Sequence, residues 1–264
     1  MAVTARPVPR RPVTGALSDA TAIAIRYLIA YRRVPQLLVF STIQPVIFVL
    51  MFRYVFGGAV RVPGVDYVDY LMPGIFVQTV VFGAMGAAIG LATDLKSGLL
   101  ERFRSLPMAP SAVLAGRTFA DTGRNVFVAL LMTAVGFGVG WRIHTNLLGY
   151  LAAIGLVLLF GYALSWVFAS LGLAVGDPET AQAAAFPLMA PLVFASSAFV
   201  PVASMPGWLQ VFAEHQPVSV TASAVRALTL GGPTAWYVIQ AILWVVVIVA
   251  VAAPLAVRRY RRAV

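Results

Sequence analysis

The residues able to do chemistry are few, and none stands in a catalytic pattern. Lys96 is the single lysine in 264 residues. A phosphate-binding loop needs a glycine-rich turn whose lysine, followed by serine or threonine, reaches the terminal phosphates. Lys96 precedes Ser97 but follows Asp94 and Leu95, so any ATP used must be hydrolysed by another chain. His144 and His215 lack the helically spaced second histidine or carboxylate of a zinc hydrolase and read as surface residues. Ser165, Ser170, Ser196 and Ser197 stand among apolar residues with no histidine or lysine nearby, which suits helix packing better than nucleophilic attack. Asp177 and Glu179 form an acidic pair in a short turn, without a metal-ligand partner close in sequence. Cysteine is absent, which excludes disulfides, thiolate metal sites and cysteine catalysis. The chain is therefore expected to have no catalytic site, no metal and no cofactor of its own.

The elements around these residues belong in a bilayer. The composition is 61% hydrophobic and 11% charged, with a mean hydropathy of +0.90, whereas soluble domains carry about 25% charged residues. A span takes about 20 apolar residues. The sequence offers stretches at about 36–56, 71–92, 111–140, 147–175, 181–200 and 236–257, which predicts an all-α integral membrane protein with six transmembrane helices. The third stretch carries Arg117, Asp121 and Arg124 in its first half, so membrane insertion is expected to begin near Asn125. With the N-terminus inside, Lys96 and most arginines fall on the inner side, leaving Arg53, Arg61, Arg142 and Arg226 outside. That asymmetry places both termini in the cytoplasm. The excess of arginine over lysine reads as a coding bias of a bacterial source, not as a nucleic-acid surface.

Residues 1–16, with Arg6, Arg10 and Arg11 among prolines, read as a disordered basic cytoplasmic tail, and 17–264 as one transmembrane domain. Asp19, Arg26 and Arg33 recur on one helical face with Leu17, Ala20, Ala24, Leu28 and Tyr31 opposite, predicting an amphipathic helix in the inner interface that Pro35 ends. Pro201, Pro206 and Pro217 break 201–233 into short outer re-entrant helices. Trp141, Trp208 and Trp236 fit an aromatic belt. Gly86 and Gly90, Gly136 and Gly140, and Gly172 and Gly176 are four apart, a spacing that lets helices approach closely. Proton-driven transport needs ionisable groups inside the membrane. The second, fourth, fifth and sixth stretches contain none, so the energy must enter from outside the bilayer.

Between the second and third stretches, Leu99, Leu100, Phe103 and Leu106 form one face of a helix too short to cross a membrane, and Glu101, Arg102 and Arg104 fill the other. Ser97 reads as its N-cap and Pro107 as its stop. The pattern suits equally a helix resting on lipid headgroups and one docking a partner protein.

The segment Gly98-Leu99-Leu100-Glu101-Arg102-Phe103-Arg104-Ser105-Leu106-Pro107, with Arg117 and Asp121 beyond it, resembles the cytoplasmic coupling region of ATP-binding-cassette type-2 permeases of the daunorubicin-resistance type. A second match runs from Gly176-Asp177-Pro178-Glu179-Thr180-Ala181 through Ala198-Phe199-Val200-Pro201 and Met205-Pro206-Gly207-Trp208-Leu209-Gln210 to Arg226-Ala227-Leu228. The departures are Gln216, where the family usually has asparagine, and Ser219, where threonine is common. The resemblance implies a bacterial inner-membrane exporter subunit, paired as a homodimer or with a second permease. Two copies of a separate ATPase would hold ATP and Mg and grip the coupling helices. Cargo would be hydrophobic or amphiphilic, such as a drug, antibiotic, lipid or glycolipid. The rival readings are a membrane enzyme or a scaffold acting on lipids without an ATPase.

Overall fold

The computed structural model describes residues 13–33, 35–60, 62–104 and 110–263. They form α1 (Val13–Arg33), α2 (Pro35–Leu50) running into a π-helical turn (Met51–Phe56), α3 (Tyr67–Lys96), α4 (Leu99–Arg104), α5 (Pro110–Gly138), α6 (Leu147–Val175), α7 (Pro178–Phe194), a 3-10 turn (Val202–Ser204), α8 (Gly207–His215), α9 (Pro217–Leu230) and α10 (Thr234–Ala263). No strand occurs among the described residues. Three described helices, α3, α6 and α10, are long and apolar enough to cross a membrane; the run Ser41–Phe56 is apolar but shorter.

Local chemistry sets the ends of α6. The Asn146 side chain accepts from the Gly149 amide at 2.8 Å, and Gly176 takes φ +76° at the far end, where a side chain would be strained. α3 and α6 pack together at the centre with α10, α7 and α9 around them, while α1 lies along α5. A Cβ on Gly172 would collide with the Ala88 carbonyl, so glycine lets α6 reach the α3 backbone there. The other glycines of the spaced pairs work differently. Gly136 faces Met72 and Trp141, Gly140 and Gly176 adopt positive φ in turns, and Gly86 and Gly90 face the guanidiniums of Arg124 and Arg117. Those two make room for charge and not for a helix.

Other expectations are corrected. α1 begins at Val13, inside the expected tail, and residues 1–12 lie outside the described residues. Along it Asp19, Ala20 and Ile23 are buried against the chain, and Leu17 and Leu28 are exposed. A Cβ on Gly116 would meet the Ala20 carbonyl at 2.5 Å, so α1 is drawn onto α5 along that line. The fifth apolar stretch ends at Phe194 and not at 200. The Ser196 hydroxyl donates to the Val193 carbonyl at 2.6 Å and accepts from the Ala198 amide at 3.1 Å, turning the chain out of the helix. Trp141 leaves the expected belt altogether. It is fully buried between Phe76 and Phe137, while Trp208 and Trp236 are exposed.

Candidate functional site

The short helix α4 hangs from the end of α3. Ser97 closes α3: its amide donates to the Thr93 carbonyl at 2.9 Å and its hydroxyl to the Asp94 carbonyl at 3.2 Å. It is thus a C-cap and not the expected N-cap, because the chain reverses at Gly98, whose φ of +70° needs glycine. α4 then runs over Leu99–Arg104. Leu106, Pro107 and the side chain of Arg104 lie outside the described residues.

The apolar face of α4 points into its own chain. Leu100 is 0% and Phe103 8% exposed, packed with Ile23, Leu91, Leu114, Trp166 and Tyr260, and Leu99 is half-buried against the same cluster. Removing a side chain such as Leu100 or Phe103 from water is worth about 1.5 to 3 kcal/mol. The Arg26 guanidinium lies 5.1 Å from the Phe103 ring centroid, tying α1 to α4. Glu101 and Arg102 are exposed. The Phe103 ring thus anchors the helix within its own chain.

Beneath α4 lies a charge ladder that joins α1, α3 and α5. Arg117 pairs with Asp94, both largely buried, and the Tyr27 hydroxyl donates to Asp94 at 2.7 Å. The Arg117 guanidinium also sits 4.6 Å from the Tyr27 ring centroid. One turn along, the Tyr31 hydroxyl donates to Asp121 at 2.9 Å. Burial pushes both tyrosine hydroxyls well above their ordinary range, so they remain donors. A Cβ on Gly90 would overlap the Arg117 guanidinium. The ladder was not recognised in the sequence, although Tyr27 and Tyr31 on one helix and Arg117, Asp121 and Arg124 on another share a one-turn spacing.

Asp177 is brought to the same end. It caps α7, accepting from the Thr180 amide at 3.1 Å and hydroxyl at 3.0 Å, and Lys96 lies 2.7 Å from its other oxygen. The Lys96 hydrogen bond, followed by those from Thr180, lowers the Asp177 carboxyl to about 2, and the same bond raises Lys96. Glu179 is exposed in the first turn of α7. Two turns in the sequence thus become one site, with α7 tied to the residue that precedes the Ser97–Gly98 reversal.

The opposite end of the bundle is closed by backbone acceptors. Arg226 on α9 donates to the carbonyls of Tyr70 at 2.9 Å and Ala198 at 3.2 Å, to the Ser197 carbonyl and to its hydroxyl, and stacks 3.7 Å from the Tyr70 ring. Gln216 and Ser219 act as one unit: the Gln216 amide donates to Ser219 at 3.1 Å and to the Leu192 carbonyl at 2.9 Å, and Ser219 accepts from the Ser197 amide at 2.9 Å. His144 lies 2.7 Å from Asp69, whose other oxygen accepts from the Arg142 amide at 2.9 Å. Among the described residues no cluster of His, Cys, Asp or Glu is fit to hold a metal ion.

Against known proteins, the family described as ABC-2 type transporter matches residues 19–230. The chain is 34% identical over 252 residues, 95% of its length and 89% of the relative's, to the daunorubicin resistance ABC transporter permease protein DrrB1 of Streptomyces coeruleorubidus. It is 29% identical over 225 residues, 84% and 81% of the two chains, to the probable doxorubicin resistance permease DrrC of Mycobacterium tuberculosis. The doxorubicin resistance permease DrrB of that organism is 30% identical over 219 residues, 76% and 74%.

Proposed function

The chain belongs to the ABC-2 type transporter family, and from that premise we propose that it is the six-span permease of an exporter for hydrophobic or amphiphilic compounds, driven by a separate ATPase. The six spans are α2 with its π turn, α3, α5, α6, α7 and α10, and α1 lies in the inner interface. Both termini face the cytoplasm of a bacterial cell, two permeases form the pathway, and two ATPase subunits hold ATP and Mg. Drug resistance in the names of its relatives supports an amphiphilic cargo.

The observation that carries this reading is the seat of α4. A helix resting on headgroups would turn Leu100 and Phe103 toward lipid. Instead they are buried in the chain, and Glu101 and Arg102 are presented outward. A short helix anchored by its apolar side and charged on its exposed side suits a partner protein whose rim carries opposite charges. Leu99, Leu100 and Phe103 then act as the mount, and Glu101 and Arg102 as the contact. Asp177 and Glu179 border the same contact through Lys96.

Co-purification of the ATPase tests the assignment. Reversing both charges with Glu101→Lys and Arg102→Glu is expected to weaken recruitment by about tenfold or more, since like charges brought together cost several kcal/mol. The variant permease should still insert and melt as the wild type does. Undiminished recruitment and transport would retire the coupling role, and a permease that purifies with no ATPase under any condition would favour a lipid enzyme or scaffold. Orientation is tested separately. Single cysteines at Arg104 and Arg262 should resist an impermeant thiol reagent in intact cells while one at Asp66 reacts, and the absence of native cysteine keeps the background clean.

A further inference from the structure

A cleft of about 340 Å³ opens between α2, α3 and α5. That is the low end of the range for small-molecule pockets, enough for a headgroup and the first part of a chain. Its walls divide by chemistry. Phe82, Met85 and Ile89 provide an apolar side, while Gln44, Gln78 and Arg124 provide polar groups, and Arg124 is the single ionisable residue among those that line it.

Arg124 is held facing the cleft. Its guanidinium donates to the Gly83 carbonyl at 2.7 Å, and a Cβ on Gly83 or Gly86 would lie 3.0 Å from its nitrogens. Glycine at both positions therefore gives the guanidinium a notch on α3. Among the described residues no carboxylate forms an ion pair with it; Asp121, the nearest acid along α5, is engaged by the Tyr31 hydroxyl at 2.9 Å. Arg124 stands seven residues beyond Arg117 on α5, or about 10 Å further along the helix axis at 1.5 Å per residue. The bond to Gly83 keeps this charge at the cavity. A second polar group there lacks a partner. Gln78 is 1% exposed, lines the same cleft, and its Oε1 has no hydrogen-bond donor. A buried acceptor without a donor is destabilising unless something supplies one.

We infer that this cleft binds the head of an anionic amphiphile, with Arg124 receiving the anionic oxygens, Gln78 accepting from a hydroxyl of the head, and Phe82, Met85 and Ile89 carrying the start of the chain. A monoprotonated phosphate ester meets all three demands. A carboxylate head supplies the anionic oxygens but no hydroxyl donor, and a quaternary ammonium head meets neither polar demand. The assignment rests on the export reading only for the source of the ligand, which is either cargo on its way out or a lipid of the inner leaflet.

Binding is measured on the full-length permease without its ATPase, in a non-ionic maltoside detergent, as a saturable rise in the thermal unfolding midpoint. The probes are dodecyl phosphate, dodecyltrimethylammonium and inorganic phosphate. Dodecyl phosphate alone is expected to give a saturable rise. Arg124→Gln should weaken its apparent affinity by about tenfold or more, the usual scale for losing a charge-assisted hydrogen bond, and Arg124→Lys should restore most of it. Gln78→Leu, which leaves the charge untouched, should weaken binding by about threefold to tenfold. Arg262→Gln removes an equal charge elsewhere and should change nothing. An equal rise with the ammonium probe or with inorganic phosphate, or an unchanged response in Arg124→Gln, would overturn the assignment. In the complex with ATPase, faster ATP turnover with dodecyl phosphate that disappears in Arg124→Gln marks the ligand as cargo. Binding without acceleration marks a lipid site, and either result upholds the anionic head. Because the binding measurement contains no ATPase, a failure of the coupling assignment leaves it unaffected.

Discussion

The two ends of the bundle secure their arginines by opposite means. At the end that carries α4, Arg117 is held by side chains, the carboxylate of Asp94 and the ring of Tyr27, each on a different helix. At the end that carries α8 and α9, Arg226 is held mainly by main-chain carbonyls of Tyr70, Ser197 and Ala198. A side-chain ion pair between α3 and α5 can lengthen or exchange partners while both helices stay intact. A cage of carbonyls cannot open without moving the turn at 195–200 or the start of α3. The difference is thus one of chemistry: the first end is tied between side chains of separate helices, the second between a side chain and the backbone.

The comparison is broken most forcefully at the arginines. Arg117→Ala leaves Asp94 buried without its countercharge and should cost about 3 to 5 kcal/mol. Replacing both partners, Arg117→Met with Asp94→Leu, should recover most of that loss, because two apolar groups leave nothing unpaired. Arg226→Ala should be comparably damaging, since each carbonyl left without a donor costs about 1 to 3 kcal/mol. No second side-chain substitution can relieve it. Unfolding midpoints in detergent decide the matter; a double variant as unstable as Arg117→Ala, or an Arg226→Ala that melts normally, would erase the distinction.

A smaller effect separates the two faces of α4. Leu100→Ala opens a cavity beneath the helix and should cost about 2 to 5 kcal/mol, whereas Glu101→Ala, on an exposed face, should stay within about 0.5 kcal/mol. Equal melting of the two variants would show that α4 is not seated as described. Smaller still is Tyr27→Phe, which removes one hydrogen bond to a carboxylate, worth about 1.5 to 3 kcal/mol. Its hydroxyl is already pushed upward by burial, so the loss should not vary between pH 6 and 9, as midpoints taken across that interval would show.

The smallest expected effect is the exposed tie between Lys96 and Asp177. A carboxyl lowered to about 2 in the folded chain contributes stability that is complete above its unfolded value, about 3.9, and is lost as the pH falls through about 2. Lys96 is raised, so its share is present below its ordinary value and fades only in strong alkali. Neutral pH therefore leaves the tie untouched. Lys96→Met should return the Asp177 titration, followed by carboxyl carbon resonance, toward its ordinary range; an unmoved titration would assign the whole shift to Thr180.

Much of this architecture could be read from residue order. Asn146 and Gly176 mark the ends of α6, and the apolar run between them gives 147–175 directly. Pro35 separates α1 from α2, and Leu99, Leu100 and Phe103 announce an amphipathic turn with Glu101 and Arg102 opposite. The fifth stretch was overextended because 195–200 stays apolar in composition while Ser196 redirects the backbone through two hydrogen bonds. Trp141 was assigned to the outer belt because tryptophan at a span end resembles an anchor. Its burial depends on Phe76, 65 residues earlier, coming within 5.6 Å.

Sequence by itself determined the order of the main helical segments, their apolar character, and the family to which the chain belongs. These follow from composition, local spacing and turn chemistry, all of which act over a few residues. Only the tertiary structure decided what each face meets. It turned Leu100 and Phe103 inward and Glu101 outward, gave Gly86 and Gly90 to arginines, joined Asp177 to Lys96, and left Arg124 facing a cleft with Gln78. Helical periodicity specifies that a face exists and what it is made of. The neighbour that covers it is set by contacts between residues tens of positions apart, which no local pattern encodes.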